Sequence, residues 1–136
     1  MSNDPIIVGR YDATIDLSGR VKLPEEWDFA FGSGKLIFLI PDANGRFLSI
    51  IPSQAWEKSF VGLRERVLFD PKVNAALRKI GEESRMYMVS PDGTIELDST
   101  ILERARLKSS VSFIGCCRNA KLYATETLPP DGASLL

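Results

Sequence analysis

Three charged side chains with a part to play in anion recognition fall within fourteen residues. Asp16, Arg20 and Lys22 sit in the segment Tyr-Asp-Ala-Thr-Ile-Asp-Leu-Ser-Gly-Arg-Val-Lys-Leu-Pro (11–24), and Arg10 stands just before it. A guanidinium forks onto a phosphate, or onto the O6 and N7 of guanine together. Lysine adds a point charge for phosphate. Asp16 would repel a phosphate if free, so its expected task is to pair with Arg20 across the turn and orient the guanidinium. An exposed Asp–Arg pair on an ordinary hairpin contributes only about 0–1 kcal/mol and requires no ligand.

The elements that hold these residues follow from alternation. Tyr11, Ala13, Ile15 and Leu17 share one face of an extended segment, and Asp12, Thr14 and Asp16 share the other. After the turn, Val21 and Leu23 point one way and Arg20 and Lys22 the other. Gly19 supplies the positive φ that such a turn needs. The expectation is a two-stranded hairpin, a ribbon of a width that enters a DNA major groove. Pairing within that hairpin would bring Arg10 into the neighbourhood of Arg20.

Other chemistries are poorly served. The chain has 136 residues and no histidine, so neither a Ser-His nor a Cys-His constellation can form. Its two cysteines, Cys116 and Cys117, are adjacent. Strand neighbours point to opposite faces, so a mutual disulfide would be strained, and no zinc set exists. Asp12, Asp16, Glu25 and Glu26 have nothing that makes them converge on a metal. Glu82, Glu83 and Glu103 read as helix-surface charges. Gly32-Ser33-Gly34-Lys35 leads into a strand and lacks the spacing of a phosphate-binding loop. Trp27 and Trp56 read as core or interface anchors. No catalytic activity, cofactor or metal is expected.

With 44% hydrophobic and 26% charged residues, the composition suits a soluble folded chain. No apolar stretch approaches the roughly 20 residues of a membrane span. Met-Ser-Asn-Asp-Pro lacks the basic flank and apolar core of a secretory signal, so a cytoplasmic location is expected. A formal net charge of −1 gives the whole molecule no attraction to nucleic acid, so any anion binding must come from local clusters of Arg and Lys.

A second copy of the pattern follows Arg85, in Met-Tyr-Met-Val-Ser-Pro-Asp-Gly-Thr-Ile-Glu-Leu-Asp. The first unit continues with a short helix from Pro24, a strand at 36–40, a turn at Asp42-Ala43-Asn44-Gly45 and a strand at 47–51. The second continues with a helix at 99–106, a strand at 111–117, a turn near Arg118-Asn119 and a strand at 121–125. Between them, helical spacing predicts one helix from Gln54 to about Val67 and another from Asp70-Pro71, carrying Val73, Leu77 and Ile80 and closing at Gly81. Residues 1–52 and 85–127 are thus two repeats, 53–84 a helical bridge, and 128–136 a flexible tail.

The segment Tyr11…Ile15-Asp16-Leu17-Ser18-Gly19-Arg20-Val21-Lys22-Leu23-Pro24, followed by paired strands, two helices and a second copy, resembles the MraZ family. Trp56-Glu57-Lys58 and Asp70-Pro71 extend the likeness, which runs from about Gly9 to Glu126. The resemblance implies an α+β fold of two AbrB-like, swapped-hairpin β-barrel half-domains related by internal duplication. It implies a transcription regulator of the division and cell-wall gene cluster, nucleoid-associated, built as a homo-oligomeric ring on an operator with direct repeats. No membrane or small-molecule partner is implied. The DNA-contacting residues it implies are Arg10, Asp16, Ser18, Arg20 and Lys22. The second motif departs from the family pattern: Ser90 stands where the family has Asp, Thr94 where it has Arg, and Asp98 where it has Pro. That half is not expected to bind DNA in the family's way. The alternative is a ring-forming structural protein of the same fold that has lost DNA binding.

Overall fold

The computed structural model describes residues 6–53, 55 and 71–128. The helix expected from Gln54 to Val67, with Trp56, and the tail from residue 129 lie outside that range.

The first half contributes strands β1 (Arg10–Thr14), β2 (Arg20–Lys22), β3 (Leu36–Pro41) and β4 (Leu48–Pro52), with a 3-10 turn at Glu25–Trp27 running into the short helix α1 (Asp28–Phe31). The second contributes β5 (Arg85–Met88), β6 (Thr94–Glu96), helix α3 (Ser99–Arg104), β7 (Ser110–Gly115) and β8 (Ala120–Ala124). Helix α2 (Pro71–Glu83) precedes them. It continues through Gly81, where closure was expected. A glycine inside a helix costs about 0.5–1 kcal/mol, and the Ser84 amide still bonds the Ile80 carbonyl at 2.9 Å.

β1 and β2 do not pair with each other, which corrects the expected hairpin. β1 lies in a six-stranded sheet of order β1-β7-β8-β4-β3-β5, whereas β2 pairs with β6 in a separate two-stranded ribbon. The first strand of each half pairs with the third strand of the other: Tyr11 lies opposite Phe113, and Tyr87 opposite Ile37. β4 and β8 also pair across the halves. Both sheets therefore mix strands from the two halves, and neither half has a barrel of its own. An isolated two-stranded hairpin is marginal in water. Crossing over lets Val21 and Ile95 bury one face of the ribbon in the common core.

That core is continuous. Ile37, Leu39, Leu48, Ile50, Val111, Phe113 and Leu122 come from the six-stranded sheet, and Phe31 and Ile101 from the helices. Trp27 stands edge-on to Tyr11, Phe31 and Phe113, at ring separations of 5.1, 6.1 and 6.1 Å. Its indole N–H donates to the Val8 carbonyl at 2.9 Å, so the one polar atom of a buried side chain is satisfied. The expectation of a core anchor holds for Trp27.

Candidate nucleic-acid interface

The ribbon has two faces fixed by strand alternation. Val21 and Ile95 are buried beneath it, while Arg20, Lys22 and Glu96 are exposed and Thr94 is half-buried. The antiparallel register sets Arg20 opposite Glu96, Val21 opposite Ile95 and Lys22 opposite Thr94. Each end is tied to the turn of the other strand. The Leu97 amide donates to the Gly19 carbonyl at 2.8 Å, and the Leu23 amide to the Gly93 carbonyl at 3.0 Å.

In the first turn, Asp16 orders the backbone. Its Oδ1 accepts from the amides of Ser18 at 2.8 Å and Arg20 at 3.0 Å. The expected pairing of this carboxylate with the guanidinium is not formed. Both acceptor directions of Oδ1 are taken up by amides of a tight turn, whose geometry aims Asp16 at the backbone. Among the described residues, the Arg20 guanidinium has no hydrogen-bond or ion-pair partner. Ser18 contributes its backbone amide to this turn. Leu17, expected on the same face as the buried Ile15, is fully exposed, because β1 ends at Thr14 and the alternation stops there.

The remaining candidates separate. Lys22 reaches Glu25 at 3.2 Å, both side chains being mostly exposed. Strand pairing does not bring Arg10 beside Arg20. It lies on β1 in the six-stranded sheet, opposite Ile114, and pairs with Asp12 at 3.1 Å. The Asp12 carboxyl is held below its usual range, first by the Ser112 hydroxyl and then by Arg10. The correction follows from the crossover, since Arg10 belongs to a strand that never meets β2 in a ladder.

The second turn is closed on itself. The Ser90 hydroxyl donates to Asp92 at 2.6 Å, and the Thr94 hydroxyl to the same carboxylate at 2.7 Å. Those bonds, with the Thr94 amide, pull the Asp92 carboxyl down to about 2. Where the first turn offers a free guanidinium, this one offers satisfied hydroxyls and a settled anion. Asp98 has a structural task that sequence reasoning missed. It caps α3, accepting from the Ile101 amide at 2.8 Å, and pairs with Arg85 at 3.1 Å. The signal was present in Asp98-Ser99 before a helical run.

Glu96 is the other residue that sequence reasoning missed in this role. Its place opposite Arg20 could be read only by someone who knew that β2 pairs with β6. Arg20 and Lys22 are matched by Glu96, opposite Arg20, and Glu25, paired with Lys22, so these four side chains balance in charge. No group of three or more metal-ligating side chains occurs among the described residues. No helix among them is long and apolar enough to cross a membrane. Cys116 and Cys117 are free and lie just beyond β7, with Cys117 at φ 70°.

No family model matches the chain. Among curated proteins, it is 26% identical over 111 residues to the "Transcriptional regulator MraZ" of Acidobacterium capsulatum, covering 79% of this chain and 74% of that protein. The chain is thus similar to a MraZ protein over most of its length.

Proposed function

We propose that this chain is a sequence-specific DNA-binding transcriptional regulator. Its contact surface is the outward face of the β2–β6 ribbon together with the Asp16–Gly19 turn. The observation that carries the reading is Arg20: an exposed guanidinium without a partner among the described residues, on a strand whose opposite face is buried. The relative named as a transcriptional regulator supports it. Arg20 contacts base or phosphate, Lys22 contacts phosphate once released from Glu25, and Asp16 and Ser18 hold the turn that presents them.

The reading includes an internal duplication with exchanged hairpins. Its support is that β1·β7 matches β5·β3, β3·β4 matches β7·β8, and β2·β6 and β4·β8 each match themselves. The turn bonds match as well: Gly19 to Asp16 at 3.0 Å parallels Gly93 to Ser90 at 2.9 Å. One ribbon with two cations binds DNA weakly, since affinity rises with each phosphate neutralised. A homo-oligomeric ring on an operator of direct repeats supplies the missing affinity by multivalency. In this reading the protein works at the nucleoid, on its own division and cell-wall gene cluster.

The charge balance around Arg20 favours a second reading, a ring-forming structural protein of the same fold without DNA binding. Gel retardation of the fragment upstream of the protein's own operon separates the two. The regulator reading expects retardation by the wild type, lost in Arg20→Ala with oligomer mass unchanged by light scattering. No retardation by the wild type at low salt refutes it in favour of the structural protein.

A further inference from the structure

Of the four outward side chains of the ribbon, two are already engaged. Lys22 is held by Glu25 at 3.2 Å, and the Thr94 hydroxyl by Asp92 at 2.7 Å. The other two, Arg20 and Glu96, stand directly opposite each other, both exposed. Among the described residues neither has a hydrogen bond or an ion pair, even with the other. Directly opposed strand residues have β-carbons about 4.5–5.5 Å apart. That spacing places a fork of donors beside a pair of acceptors on a rigid support.

A phosphate and a base edge respond to this pair differently. Phosphate is attracted by Arg20 and repelled by Glu96, so the carboxylate lowers affinity for DNA backbone of any sequence. In the major groove, guanine presents two acceptors at O6 and N7, and cytosine presents the N4 amino donor. Arginine matches the first and glutamate the second. A duplex that offers guanine on one base pair and cytosine on an adjacent pair satisfies both side chains. Adenine also presents an amino donor, at N6, but beside the N7 acceptor that repels a carboxylate, so cytosine is the better match.

We propose that Glu96 is a specificity-determining residue of the ribbon, accepting from a cytosine amino group while Arg20 opposite it reads guanine. The proposal rests on the DNA-binding reading above and adds the class of base step recognised. It also gives the Glu96 carboxylate a positive task, namely rejecting backbone-only binding.

The test is selection from a pool of randomised duplexes by the full-length wild type, Glu96→Ala and Glu96→Gln. Glu96 is exposed, and thermal unfolding of each variant verifies that the fold is kept. The wild type is expected to select a guanine position and a nearby cytosine position. Glu96→Ala should keep the guanine, lose the cytosine preference by at least about fivefold, and bind non-cognate duplex more tightly. Glu96→Gln should move the preference towards adenine, whose N6 and N7 suit an amide. If the wild type selects a sequence that Glu96→Ala selects with equal discrimination at every position, the proposal for Glu96 is overturned and the DNA-binding reading stands. If the wild type selects no duplex even at low salt, both fall together.

Discussion

The amide of Leu97 donates to the carbonyl of Gly19 at 2.8 Å, which binds the first turn to the strand leaving the second. The approach is close enough that a β-carbon on Gly19 would collide with the Leu97 carbonyl oxygen. Gly19 also has φ +82°. Gly93, at the matching place in the other turn, has φ +80° but open space around it.

Gly93→Ala should therefore cost only the left-handed backbone term, about 1–2 kcal/mol. Gly19→Ala should add an overpacking term of about 1–3 kcal/mol. Urea denaturation of the two variants measures the difference. Equal losses would show that the ribbon does not approach the first turn as closely as described.

Acid should weaken the fold through the second turn. Asp92 is depressed from 3.8 to about 2, first by the Ser90 hydroxyl and then by the Thr94 hydroxyl. A carboxyl lowered on folding contributes stability above its unfolded value and gives it up as pH falls through its folded value. The window is thus from about pH 4 down to about 2. Asp98, lowered by the Ile101 amide and by Arg85, acts in the same direction. Thermal unfolding between pH 5 and 2 should show a shallower decline for Asp92→Asn than for the wild type. Parallel curves would contradict the assignment.

Asp98 should behave as a helix cap. Removing the cap in Asp98→Ala should cost about 1 kcal/mol, whereas Asp98→Asn keeps the acceptor and costs less. Arg85→Ala breaks the half-exposed pair, which contributes about 0–1 kcal/mol, together with bonds to the Glu83 and Ser84 carbonyls. Denaturation midpoints decide the order. A loss for Asp98→Asn as large as that for Asp98→Ala would mean that the ion pair, not the cap, is the main contribution.

Trp27 should be among the most sensitive core positions. Trp27→Ala should cost about 3–5 kcal/mol, and Trp27→Phe less, since it keeps most of the ring packing and loses the bond to Val8. A near-neutral Trp27→Ala by calorimetry would contradict its place at the junction of β1, β7 and α1.

The faces of the strands were legible in the sequence, but their partners were not. Alternation correctly put Val21 inside and Arg20 and Lys22 outside, because period two is a local property. It could not reveal that β2 leaves β1 for β6, since any strand with a matching apolar face satisfies the same pattern. Two misplacements follow from that single gap: Arg10 was drawn towards Arg20, and Glu96 was not placed against it. The Asp16 carboxylate was misread for another reason. A short acidic side chain at the head of a tight turn competes well for its own backbone amides, which outrank a distant guanidinium. Asp98 was legible as a cap from its position before Ser99 and a helical run.

In the proposed regulator, DNA meets the protein at Arg20. That contact is tested most directly by fluorescence anisotropy of a labelled operon-upstream duplex titrated with wild type, Arg20→Ala and Arg46→Ala. Arg46 is a control on the β3–β4 turn, where Asp42 holds it at 2.8 Å. Arg20→Ala should weaken binding by about tenfold per contacted site, in line with the loss of one arginine–guanine contact, and Arg46→Ala should match the wild type. Binding by Arg20→Ala at wild-type strength would contradict the account.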